Sequence, residues 1–200
     1  MQAASIEGSA VGSVSVAFPA GNTAGNLIIA FVRASTTTQT ITLSDTTGNT
    51  YSQAVTQAQT TDGHQTAIFY AANIKSGANT VKATFSGTNN HPFLAIYEYS
   101  GVSTLDKTAG TQGTSAAASS GATATTTAAK ELIFAGLGLP SSATQTVTAG
   151  PGFTLEQQDT RSGGSRAASE DQTVAAVGAY SGTFTISGST NWSCIVATFK

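Results

Sequence analysis

Apolar and polar residues alternate with a period of two in four separate stretches of the chain. Val14, Val16 and Phe18 alternate with Ser13, Ser15 and Ala17, and Ile41 and Leu43 alternate with Thr40, Thr42 and Ser44. Val81, Ala83 and Phe85 stand against Thr80, Lys82 and Thr84, and Phe184 and Ile186 against Thr183, Thr185 and Ser187. Successive side chains of a strand point to opposite faces, so each stretch predicts a half-buried strand with Thr and Ser on its wet side. A second class of segment is apolar at both parities: Leu27 to Val32, Phe93 to Tyr97, Leu132 to Leu139, Val174 to Ala179 and Cys194 to Val196. Such strands are expected to be covered on both faces. Helical spacing is nearly absent, and the Ala-rich stretch 115–129 is broken by Gly121 and repeated Thr and Ser, which favours extended chain.

Turn residues punctuate these segments at the spacing of an all-β domain: Gly21 to Gly25, Thr47-Gly48-Asn49, Asp62-Gly63, Ser76 to Asn79, Ser86-Gly87, Gly150-Pro151-Gly152, Ser162-Gly163-Gly164 and Ser181-Gly182. The Ser100 to Ala129 segment, rich in Ser, Thr, Ala and Gly, is expected to be a long connection. The two halves read as imperfect copies. Asn26 to Ala30 answers Glu131 to Ala135, Gln39 to Thr42 answers Gln145 to Thr148, Gly48 to Tyr51 answers Gly150 to Phe153, and Ser86-Gly87 answers Ser187-Gly188. The expected fold is all-β: one jelly-roll-like β-sandwich domain over 1–200, made of two pseudo-symmetric Greek-key halves, about 12–100 and 115–200, linked by 101–129. A half alone sits near the lower size limit for burying a core, which favours a shared one.

Composition narrows the function. Thr, Ala, Ser and Gly number 34, 33, 23 and 21 of 200 residues, while only 9% are charged and the net charge is -2. Eight scattered Lys and Arg supply no phosphate-neutralising patch, so nucleic acid is not an expected partner. No apolar run approaches the roughly 18 residues of a membrane-spanning helix. Met1 to Ser5 does not read as a secretory signal. The single cysteine, Cys194, lies among Trp192, Ile195 and Val196 and is expected to pack as a small hydrophobe.

From about Gly25 to Lys200 the pattern resembles a β-sandwich module that recurs in secreted bacterial proteins and some phage structural proteins. The residues that carry the resemblance are Asp45 to Tyr51, Phe69 to Ile74, Gly77 to Val81, Tyr97 to Gly101 and Asn191-Trp192. The resemblance implies an accessory or structural part of a larger surface protein, without a catalytic constellation to carry over.

The candidate chemistry is sparse. Asp45 and Asn49 suggest a calcium loop, but the alternating acids and closing Glu of such a loop are missing, so a hairpin turn in which Asp45 bonds its own downstream amides is expected. No metal or cofactor is expected. Glu156, Asp159, Arg161, Arg166, Glu170 and Asp171 read as a solvated, self-neutralising region, and His64 and His91 as loop residues rather than members of a Ser-His-Asp triad. Arg33 and Glu98 each interrupt an apolar strand at equal phase and are expected to form a structural pair. Tyr97 and Tyr99 with Asn89 and Asn90 are the candidate ligand patch, a ring platform flanked by amides that would suit a glycan. Small residues on the two-sided strands, Ala30, Ala95, Ala135 and Ala175, are expected to form a flat face that packs on an identical subunit or another domain.

The expected function is therefore a non-catalytic surface module of an extracellular, cell-surface or virion-associated protein, most simply one that recognises glycan. The alternatives are a structural subunit such as a phage decoration, tail or filament protein, and a glycoside hydrolase, which would need two converging carboxylates.

Overall fold

The computed structural model describes residues 1–160 and 163–200; Arg161 and Ser162, with the expectations that fall on them, lie outside the described residues. It is an all-β structure of fourteen described strands, with no helix among the described residues and so none long and apolar enough to cross a membrane. The first eight strands are β1 (Gln2–Glu7), β2 (Val11–Ala17), β3 (Leu27–Ala34), β4 (Ile41–Asp45), β5 (Ser52–Gln59), β6 (His64–Ala71), β7 (Thr80–Asn89) and β8 (Phe93–Tyr99). The remaining six are β9 (Leu105–Ser119), β10 (Glu131–Gly138), β11 (Val147–Ala149), β12 (Thr154–Gln158), β13 (Ala167–Val174) and β14 (Thr183–Phe199).

All pairings are antiparallel. One sheet runs β1-β8-β3-β6-β5 and a smaller one β2-β7-β4. In the second half, the long strands β9 and β14 each cross two layers. Their Leu105-to-Gly113 and Trp192-to-Phe199 portions complete the order β9-β14-β10-β13-β12, and their other ends pair beside β11. The four alternating stretches form β2, β4, β7 and the outer part of β14, with their apolar residues turned inward.

Three cores separate the resulting four layers. The first lies between the β2-β7-β4 sheet and the larger sheet of the first half, around Phe18, Ile28, Val32, Phe69, Val81 and Phe85. The third is enclosed by the folded sheet of the second half, around Ile133, Leu137, Val147, Phe184, Trp192 and Val196. The second core joins the halves: Leu27, Ile29, Phe31, Phe93 and Tyr97 pack against Leu132, Phe134, Ile195, Ala197 and Phe199. Tyr97 meets Phe134 edge to face at 4.8 Å. A Cβ on Gly136 would overlap the ring of Phe31, so glycine there is what lets the two sheets approach.

This arrangement explains the two-sided apolar strands and corrects what covers them. Their second face is buried by the other half of the same chain, not by an identical subunit. Ala30, Ala95 and Ala135 are fully buried in the first, second and third cores respectively, so they form no common flat face, and Ala175 lies exposed beyond the end of β13. Val174 to Ala179 is strand only at Val174, and Val177 is exposed. The expected connection 101–129 is also revised, because residues 105–119 form β9, hydrogen-bonded along β14.

Several pairings run alike in the two halves. Ala30 pairs with Phe69 and Ile96, and Ala135 with Glu170 and Val196. Thr42 pairs with Thr84, and Thr148 with Thr185. Thr40 and Ser86 exchange two hydrogen bonds, amide to Oγ at 3.1 Å and amide to carbonyl at 3.1 Å, and Thr146 and Ser187 exchange the same two at 3.0 Å each.

Candidate functional site

The expected ligand patch does not assemble. Tyr97 and Tyr99 stand near the end of β8 with their rings in the core between the halves, whereas Asn89 and Asn90 precede the start of β8 at its far end. Tyr97 is fully buried and its hydroxyl meets Ser169; the Tyr99 hydroxyl donates to Asp171. Burial raises both phenols well above their ordinary range, with the nearby charge of Asp171 adding to the effect at Tyr99. Asn89 is buried as well: its Oδ1 accepts the Ser35 amide at 2.9 Å and its Nδ2 donates to Gln39. Only Asn90 is exposed. These side chains fasten strands together and present no ring face to solvent.

Arg33 and Glu98 are not partners. In the β3–β8 ladder Glu98 stands opposite Ile28 while Arg33 stands opposite Phe93. That puts them five residues apart along β3, roughly 17 Å at strand rise. They also face different cores, since Leu94 and Ile96 share the first core with Ile28, whereas Leu27, Ile29 and Phe31, in phase with Arg33, face the second. Glu98 instead accepts from the Thr23 amide and from the side chains of Gln2, Asn22 and Asn26. Burial opposes its ionisation, but these donors outweigh it and hold the carboxyl below its usual range.

Arg33 is 0% exposed and reaches into the second half, donating from Nε and Nη2 to the Leu139 carbonyl at 3.1 and 2.9 Å and to Ser141 at 3.2 Å. Burial lowers its pKa to about 10, partly opposed by the charge of Asp62, so it remains a cation at neutral pH. Beside it Arg166 pairs with Glu7 and Asp159 and donates to the Ser141 carbonyl at 2.7 Å, while His91 Nδ1 lies 3.0 Å from Glu7. Asp159 and Arg166 thus belong to a buried junction, not the solvated loop expected from sequence. His64, buried at the start of β6, spans the same junction: its Nδ1 faces Asp62, and its Nε2 faces the Gly138 carbonyl at 3.0 Å rather than a serine. Desolvation lowers its pKa. Arg33, Arg166, Glu7, Asp159 and His64 thus lie where the two halves meet.

Four more acids have distinct environments. Asp45 accepts from Asn49, Thr47, Tyr51 and Asn79, the self-bonded turn that its sequence predicts. Glu170, fully buried in β13, accepts the Gly150 amide at 2.8 Å and the Thr183 amide at 2.9 Å, and burial pushes it up to about 7 despite them. Glu156 and Asp171 are also raised, both mainly by burial; Asp171 is engaged by Tyr99.

Surface hollows are small. One of about 180 Å³ lies over Glu98, and one of about 230 Å³ lies between Tyr99 to Val102 and Lys130 to Leu132. Among the described residues, no group of three or more His, Cys, Asp or Glu is arranged to hold a metal ion. Comparison with protein-family models, with curated proteins and with solved structures finds no match to this chain.

Proposed function

We propose that the chain is a non-catalytic structural module of an extracellular or virion-associated assembly, built from two duplicated Greek-key sandwiches, jelly-roll-like in topology, fused back to back. The observation that carries this reading is the core between the halves. Strands β3, β8, β10 and β14 spend both apolar faces inside the molecule, and the charged residues at the rim of that core are satisfied across it. Such a construction favours rigidity over a binding cleft. The coinciding registers support the duplication, because matched partners at three strand pairs arise naturally when one unit is copied.

The outward faces suit the same role. Ser15, Thr42, Ser44 and Thr84 at one end, and Thr146, Thr148, Thr185 and Ser187 at the other, are exposed hydroxyl residues on faces carrying little charge. The extracellular or virion setting rests on this composition. The glycan reading is not carried forward, because the rings on which it depended lie in the core. A glycan array probed with the whole chain tests the choice: silence across the array is expected, and a saturable, sugar-specific signal would overturn it.

A further inference from the structure

The sheet β2-β7-β4 ends on β2, and among the described residues no strand pairs with the other side of β2. The register fixes which backbone groups lie there. The Phe18 amide bonds the Asn79 carbonyl, whereas Thr46 bonds Thr80 and Ser86 bonds Thr40 on the β4 side of β7. Ladder bonds alternate along an antiparallel strand, so odd-numbered residues of β7 bond β2 and even-numbered ones bond β4. Val14 and Val16 stand opposite Ala83 and Val81, while Ser13, Ser15 and Ala17 stand opposite Thr84, Lys82 and Thr80. The N–H and C=O groups of Ser13, Ser15 and Ala17 therefore point out of the sheet edge.

Proteins blunt such edges with charge, proline or a bulge. β2 has only a register shift at its start, between Val11 and Ser13. No charged residue occurs between Glu7 and Arg33, and no proline between Val11 and Ala17. The end of β9 beside β14 shows the contrast. There Ser115 Oγ accepts the Ala117 amide at 3.3 Å and donates to the Ala117 carbonyl at 2.6 Å, and Thr111 Oγ1 donates to the Ser119 carbonyl. Among the described residues, no side chain caps Ser13, Ser15 or Ala17 in this way. The opposite edge, β4, is shorter and ends in the Asp45 turn, and the carbonyls of Gln39 and Asp45 accept from Gln65 Nε2 at 3.0 Å and the Gly48 amide at 3.4 Å.

We propose that β2 pairs with β2 of a second copy of this chain, antiparallel about a twofold axis at Ser15, so that the two small sheets become one. Three outward residues spaced by two are self-complementary about the middle one. Ser15 meets its own counterpart and Ser13 meets the counterpart of Ala17, each pair exchanging two backbone hydrogen bonds, so every outward group is used. On the inner face Val14 and Val16 meet across the seam, which extends the first core, against which half-buried Val16 already packs. An uncharged strand meets its copy without the repulsion that like charges opposite each other would bring. This pairing is specified by backbone geometry and does not depend on the structural role proposed above.

Sedimentation equilibrium of the full chain tests it, with Ser15→Glu and Ser15→Lys as variants. Ser15 is exposed, so both variants should keep the far-UV circular dichroism of the unaltered chain. The unaltered chain should dimerise with Kd on the order of 100 µM, and amide exchange at Ser13, Ser15 and Ala17 should slow as the dimer fills. Each variant alone places like charges opposite each other at the axis and should associate about tenfold more weakly at low salt. An equimolar mixture of the two should recover the association of the unaltered chain, a result that neither misfolding nor a different surface can produce. A monomer at every concentration up to about 1 mM, amide exchange that ignores concentration, undiminished dimers of either variant, or a mixture no tighter than the single variants would overturn the proposal.

Discussion

The two halves treat the same corner differently. In the first, the chain breaks between β1 and β2 at Gly8 to Ala10 and between β7 and β8 at Asn90 to Pro92; in the second, β9 and β14 run through both layers. Pro92 has no N–H to offer a ladder, and Ala10 and His91 both adopt positive φ, near 52° and 53°, so regular pairing cannot continue there. The Gly8 amide instead bonds the Pro92 carbonyl at 2.9 Å. The consequence is local and chemical: the broken corner brings Glu7 and His91 together beside Arg166 of the other half. The second half, with small residues along β9, keeps its ladder, with register shifts between Thr185 and Thr190 and between Ala197 and Phe199.

The residues opposite Ala30 and Ala135 differ in kind. Opposite Ala30 stands Phe69, packed in the first core, and opposite Ala135 stands Glu170, buried with two backbone donors. Burial alone does not decide the charge of such a group. Glu98, with four donors, is held below its usual range, whereas Glu170, with two, is pushed up to about 7. Glu170 is the more deeply buried of the two and has fewer donors, and both differences push it upward.

The largest effect should come from the core the halves share. Phe31→Ala leaves the space against Gly136 empty and should cost about 3–5 kcal/mol, read by denaturant unfolding. If the two sandwiches were independent, the loss would appear in only part of the transition.

Glu170 should give the next effect, one that the first half lacks. Its folded pKa lies above the ordinary value of 4.5, so between pH 4.5 and about 7 the folded chain binds more protons than the unfolded one. Its contribution is therefore fully present below pH 4.5 and is lost as pH rises through 7, by on the order of 3 kcal/mol. Glu170→Gln should flatten this part of a stability–pH profile. An unchanged slope in the variant would contradict the assignment.

The smallest effect tests equivalence directly. Ser86→Ala and Ser187→Ala remove the matched bonds to Thr40 and Thr146 and should each cost about 1 kcal/mol. Unequal losses, with one of them near zero, would mean that the shared geometry does not carry equal energy.

Much of this was legible in the chain. Period-two alternation located β2, β4, β7 and the outer part of β14, and four of the five apolar runs at both parities fall on strands covered twice, the exception being Val174 to Ala179. What covers them was not legible, because parity says that a face is buried without saying by what. Strand β9 was hidden for a different reason: its small residues carry no alternation, yet smallness is what its place requires, since a Cβ on Gly113 would overlap the Trp192 indole. The Arg33–Glu98 expectation failed because equal phase within two separate strands fixes a common face only once the register is known. The Tyr97–Tyr99 expectation failed because aromatic residues serve a core as well as a platform, and sequence alone does not separate the two.

The central claim is that the two sandwiches form one cooperative unit through the core around Phe31, Phe134 and Phe199. Differential scanning calorimetry of the whole chain tests it most directly. The account predicts a single transition whose calorimetric and van't Hoff enthalpies agree, shifted as a whole by Phe31→Ala. Two resolved transitions, only one of which moves in that variant, would contradict it.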